Sequence, residues 1–127
     1  MAEPLFLLDA NICIYLLAGR SAAAVRRVEG CEQGLLVTSV IAYAEVMLGA
    51  YRLNAVSQAR AFFRAIPVLP FDAGSGDCYA ALPFRRARFD RLIAGQALQH
   101  DLTVVTGNVD DFADIPGLKV ENWTLPL

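Results

Sequence analysis

Short apolar runs alternating with amphipathic stretches constrain this chain more than any other feature of its sequence. Leu5–Asp9 reads as a buried strand, entered through Pro4 and ending in an acid. Leu35–Thr38, Val68–Phe71, Leu102–Thr106 and Leu118–Asn122 repeat the pattern. Between them lie helical stretches with recognisable ends. Asn11–Ala18 is capped by Asp9 or Asn11 and closes at Gly19, and Ser21–Glu29 starts on Ser21 and stops at Gly30. A third helix, capped by Thr38 or Ser39, runs to about Tyr51, and Asn54–Ala65 and Arg88–Gln99 follow the same periodicity. Ala73–Pro83 is weakly helical at best, because Gly74 and Gly76 interrupt it. Strands alternating with helices imply an α/β fold with a mainly parallel sheet covered on both faces. No repeat, low-complexity tract or linker divides the sequence, and 127 residues suit a single domain over 1–127.

Composition excludes several classes. With 56% hydrophobic and 19% charged residues the chain is not intrinsically disordered. No stretch reaches the ~20 apolar residues of a membrane span. Leu5–Leu17 comes nearest, but Asp9 and Asn11 break it, and it follows Glu3 where a secretion signal has a basic region. The expected location is the cytoplasm. Cys13, Cys31 and Cys78 form no C-x-x-C, which leaves zinc and thioredoxin-type chemistry unsupported and reads as reduced, packed thiols. A net charge of −2 argues against coating nucleic acid nonspecifically. Positive charge is local: Arg85, Arg86, Arg88 and Arg91 cluster in Phe84–Arg91 against the single Asp90. A guanidinium grips phosphate bidentately, so these four are candidate phosphate contacts, with solvated surface or structural ion pairs as the competing reading.

Open parallel sheets place their sites beyond the carboxyl ends of their strands, which directs attention to Asp9, to Thr38 and Ser39, and to the segment after Thr106. Three carboxylates stand in unusual surroundings. Asp9 ends the apolar run Leu5–Leu8. Glu45 has Ile41, Ala42, Leu48 and Gly49 at helical spacing. Asp90 has Ala87, Ile93 and Ala94, with Arg86 as its polar neighbour. Buried carboxylates are costly unless paired or metal-bound, and one lysine and one histidine cannot neutralise three of them. A divalent metal can, and an all-oxygen set favours magnesium or manganese over zinc. His100, at a helix end beside Asp101, reads as a partner of the helix dipole and not as a triad member. Val25, Val28, Phe62 and Phe63 are candidates for a partner surface, although core packing is the commoner role of such residues.

Leu7-Leu8-Asp9-Ala10-Asn11-Ile12-Cys13-Ile14-Tyr15-Leu16 resembles the opening motif of the PIN-domain nucleases, specifically the VapC toxins. Thr38–Gly49 is similar to their central-helix motif, and Arg88-Phe89-Asp90-Arg91-Leu92-Ile93-Ala94 to their later aspartate motif. Leu102–Asn108, Asp111-Phe112, Ile115–Leu118 and Glu121–Trp123 resemble their C-terminal end, so the likeness spans nearly the whole chain. It implies a three-layer α/β/α sandwich and a Mg²⁺-dependent endoribonuclease, with Mn²⁺ able to substitute. It also implies inhibition by a cognate VapB-like antitoxin, and a toxin homodimer within the toxin–antitoxin assembly. The family's acids fall on Asp9, Glu45 and Asp90, with Asp9 and Asp90 as metal ligands and Glu45 completing the site. The fourth position falls on Asn108, where aspartate is frequent, and Asp111 ranks second for that place. Asn11, Ser39 and Thr106 are supporting candidates, each with helix capping or strand-end structure as the alternative. The segment between Asp72 and Asp90 is short where many relatives carry a longer arm. Two further readings remain: a catalytically silent PIN-like module that binds RNA or protein, and a haloacid dehalogenase-type phosphatase. The second needs an acid where Asn11 stands and a lysine, for which Lys119 is the sole source.

Overall fold

The computed structural model describes residues 3–83 and 89–125. Five strands form one sheet: β1 (Phe6–Leu8), β2 (Leu36–Ser39), β3 (Val68–Leu69), β4 (Thr103–Val105) and β5 (Val120–Glu121). All neighbours pair in parallel in the order β3-β2-β1-β4-β5, and Leu7 stands level with Val37 on one side and Val104 on the other. Leu7, Leu8, Val104 and Val105 are fully buried, as strands covered on both faces require.

The connecting helices are α1 (Ala10–Ala18), α2 (Ala22–Glu29), α3 (Val40–Arg52), α4 (Val56–Ala65), α5 (Ala73–Ala80) and α6 (Phe89–His100). From β1 to β3 the chain steps one way across the sheet; from β3 to β4 it crosses back past β1. Right-handed crossovers then put α1–α4 on one face and α5–α6 on the other, which gives the three layers. The reversal opens a crevice between the carboxyl ends of β1 and β4, where such sheets hold their sites.

The local signals explain most helix ends. Asp9 caps α1 by accepting from Ile12 N at 2.9 Å, and Gly19 closes it in the left-handed conformation at φ 65°. Ser21 caps α2 and Ser39 caps α3. The expectation for Ala73–Pro83 is corrected: α5 is a formed helix, started by Asp72, which accepts from Ser75 N and Ser75 Oγ at 2.9 Å. Its glycines serve packing. A Cβ on Gly74 would overlap the side chain of Gln99, and one on Gly95 of α6 would lie 2.7 Å from Tyr79 N. The two helices approach closely because neither carries a side chain there.

The C-terminal segment closes on β1 and α2. Trp123 is buried edge-on against Phe6, with 5.0 Å between ring centroids. Its Nε1 donates to Glu121 Oε1 at 2.9 Å, an oxygen that also receives Arg27 Nη2 at 3.3 Å. The three cysteines are free; Cys13 is buried, and that burial pushes its thiol up to about 12. Among the described residues no helix is long and apolar enough to cross a membrane.

Candidate active site

Asp9 sits one residue past β1, its N–H donating to Val105 O of β4 at 3.0 Å, so the central strand delivers it into the crevice. It is 3% exposed. Among the described residues it forms no ion pair, although a lone buried carboxylate is a costly feature. Burial raises its pKa from 3.8 to about 6; hydrogen bonds from Thr106 and Ile12 pull it down, and the charges of Asp90 and Asp111 push it further up. Glu45, half-buried midway along α3, is also raised, first by burial and then by Asp90 and Asp9. Acids separated by 102 positions of sequence therefore feel one another at one place.

Four segments build this rim. The end of β1 brings Asp9, α3 brings Glu45, and the first turn of α6 brings Asp90. A 3₁₀ turn, Val109–Phe112 (η1), brings Asp111. This turn has no counterpart in the sequence reading. Thr106, fully buried at the end of β4, accepts from Asn108 N at 2.9 Å and so holds the start of that turn beside Asp9. Asn108 itself is exposed and brings no charge; Asp111 is the group after β4 whose charge reaches Asp9. A polar hollow of about 440 Å³ opens beside them, lined by Gly107, Asn108, Val109, Asp110, Asp111 and Asn122.

The supporting candidates divide. Ser39 is buried and spends its hydroxyl on the α3 cap, accepting from Ile41 N at 2.9 Å. Thr38 donates to Leu8 O at 2.7 Å and ties β2 to β1. Asn11 lies half-buried in the first turn of α1, whose cap is Asp9. Arg85, Arg86 and Arg88 lie outside the described residues. Arg91 forms a structural ion pair, the competing reading for this cluster: its Nη2 meets Asp114 Oδ2 at 2.7 Å. Lys119 pairs with Asp101 at 3.2 Å, where the chain enters β4 and β5, at the opposite end of the strands from Asp9. That placement removes the lysine a dehalogenase-type site needs. Sequence reasoning also passed over Gln96, a fully buried amide in α6 whose Nε2 donates to Leu69 O and Pro70 O at 3.1 and 2.9 Å. The signal was available, since Gln96 sits among Ile93, Ala94 and Ala97 much as Glu45 sits in its own apolar stripe.

Among the described residues no three His, Cys, Asp or Glu side chains are grouped so that they could hold a metal ion together. The donor set nevertheless fits a hard divalent ion. It is all oxygen, buried on one side, and mutually repulsive, and magnesium binds through one or two carboxylates while keeping several waters.

The model of the PIN domain matches residues 6–118. The chain belongs to the PIN-domain family. Nucleases of this family generally depend on a divalent metal. This PIN chain is 31% identical to the tRNA(fMet)-specific endonuclease VapC of Shigella flexneri, over 94% of its own length and 98% of that protein's. Its fold superposes on VapBC2 of Rickettsia felis, bound to a promoter DNA fragment, with a TM-score of 0.84 at 25% identity, covering 94% of this chain and 98% of that one. VapBC-1 of nontypeable Haemophilus influenzae gives 0.82 at 26%, covering 95% and 99%.

Proposed function

We propose that this chain is a Mg²⁺-dependent endoribonuclease, able to use Mn²⁺, that acts as the toxin of a type II toxin–antitoxin pair. On this reading residues 1–127 form one PIN domain that works in the cytoplasm and is restrained by a VapB-like antitoxin. The observation that carries it is Asp9: a carboxylate almost wholly removed from solvent, at the carboxyl end of the central strand, facing charges of its own sign. Such an arrangement costs the fold stability at neutral pH, and a bound cation relieves that cost.

A bound divalent ion supplies Lewis acidity toward the scissile phosphate and a water of lowered pKa. Asp9 and Asp90 hold it, with Glu45 completing the set. Thr106 and the N–H of Ile12 keep the Asp9 carboxylate in one orientation. Glu45 is half-buried with a raised pKa, which suits it to orient the attacking water and take its proton, and Asp90 is the other candidate for that task. Asn108 and Asp111 are the candidates for the fourth position of the site, Asp111 through the charge it brings to Asp9. Ser39 acts by capping α3, and Asn11 is a supporting candidate two residues from Asp9 in the first turn of α1.

Arg85, Arg86 and Arg88 grip RNA phosphates, and neutralising one should reduce the salt slope of binding by about 0.7 for single-stranded RNA. A protein partner is supported by an apolar hollow of about 340 Å³ between α1, α3 and α4, lined by Ile14, Leu17, Val46 and Leu53 among others. Leu53, just past the end of α3, is 80% exposed, and Leu48 and Tyr51 on α3 are also open to solvent. Of the residues first considered for such a surface, Phe63 is instead packed in the core against Tyr43, and Val28 packs against that core. Toxin homodimerisation belongs to the same proposal and is read by sedimentation of the purified chain.

The deciding experiment incubates the antitoxin-free protein with RNA across a Mg²⁺ titration, beside an Asp9→Asn variant, and sequences the cleaved ends. Initiator tRNA is the first substrate to try, because the Shigella and Salmonella relatives are named for it. Cleavage that follows metal and is lost in Asp9→Asn is expected. Full activity in the variant would overturn the metal site, and tight binding of RNA without cleavage would identify a silent module.

A further inference from the structure

We infer that Arg91 is a positioning residue: through Asp114 it latches the turn that carries Asp111 to the helix that carries Asp90, and so sets the spacing of the acids around Asp9. The inference rests on the nuclease reading above.

Arg91 follows Asp90 directly in the first turn of α6, and Asp114 lies two residues beyond the end of η1. Their 2.7 Å contact joins segments 23 residues apart, on the two sides from which acids approach Asp9. The Arg91 side chain is only 13% exposed, against 57% for Asp114. Its guanidinium is thus turned into the protein and not offered to a polyanion.

The backbone hydrogen bonds within η1 and just after it are local. Asp111 N donates to Asn108 O at 3.0 Å and Ile115 N to Phe112 O at 3.2 Å. They shape the turn without fixing where it stands relative to α6. Phe112 and Ile115 are buried beneath it, but apolar contact is non-directional. A short charge-assisted hydrogen bond is directional, and that is what Arg91 adds. Pairs with one partner this open contribute little to overall stability. The loss on breaking it therefore falls on site geometry, where groups that orient metal-holding side chains are typically worth ~10–100-fold in metal affinity or activity.

The test compares the wild type with Arg91→Ala, Asp114→Ala and the double variant. Mn²⁺ binding is measured by calorimetry without RNA, kcat and KM by RNA cleavage, and the salt slope of RNA binding in chelator. Each single variant is expected to weaken Mn²⁺ binding and lower kcat by about 10–100-fold. KM and the salt slope should hold, and the double variant should be no worse than the poorer single one, as for two halves of one interaction. A phosphate-gripping Arg91 gives the opposite pattern: Arg91→Ala raises KM and lowers the slope, while Asp114→Ala cleaves as well as wild type or better. That result, or wild-type Mn²⁺ binding and kcat in both variants, overturns the latch. Asp114 is exposed enough for its variant to fold, so it decides alone if Arg91→Ala does not. A wild type that binds Mn²⁺ but cleaves no RNA refutes the nuclease reading separately, and the calorimetry still tests the latch.

Discussion

Replacing Asp9 by Asn should make the metal-free protein more stable at neutral pH while removing its metal response. A carboxyl whose folded pKa lies above its unfolded value binds more protons in the native state, so stability falls as pH rises between the two values. For Asp9 these are about 6 folded and 3.8 unfolded. At ~1.36 kcal/mol per pH unit the ionised side chain costs the fold about 3 kcal/mol, in full above pH 6 and not at all below pH 4. Asn keeps the shape and caps a helix as well as Asp does, so the bond from Ile12 N survives the change. Thermal melts in chelator at pH 7.5 should show the variant above wild type by up to about 10 °C. The gap should close as the pH is lowered toward 4. Adding Mn²⁺ at about a hundred times its Kd should raise the wild type by about 2.7 kcal/mol and leave the variant nearly unmoved. Equal melting temperatures at pH 7.5, or a gap that widens on acidification, would refute the claim that Asp9 is held buried and charged against its own preference.

Three further outcomes are expected. Glu45→Gln should lower kcat by about 10²–10⁴-fold with stability unchanged or slightly raised, read by single-turnover cleavage and a melt. Gly95→Ala should destabilise by about 1–3 kcal/mol, since the added methyl meets the backbone of Tyr79 and α5 must move; urea unfolding checks it. A thiol reagent at pH 8 should label Cys31 and Cys78 in the native protein but reach Cys13 only after denaturation, because burial holds that thiol protonated.

The strands and most helices were legible because their signals are local: continuous apolar runs for β1 and β4, and Asp9, Ser21 and Gly19 at helix ends. Asp9, Glu45 and Asp90 stood out for the same reason, each being an acid among apolar neighbours. What escaped depends on partners far along the chain. Gly74 and Gly76 read as breakers of α5, yet Gly74 lies beneath Gln99, a packing fact that no window around it contains. Arg91 read as one of a basic run because its counter-charge, Asp114, lies 23 residues away. Asp111 and Asn108 are near neighbours in sequence, and only the turn of η1 distinguishes the charge that reaches Asp9 from the neutral side chain left in solvent.

The sheet ends on strands of two residues, β3 and β5. Edges this short present few unpaired main-chain groups, so they offer a poor template for intermolecular strand addition and fibre growth. Self-association of a chain expressed without its partner should therefore proceed through side chains on the α1–α3–α4 face, where Leu53 and Ile14 stand open. A single Leu53→Lys change should improve solubility more than any alteration at the sheet margins.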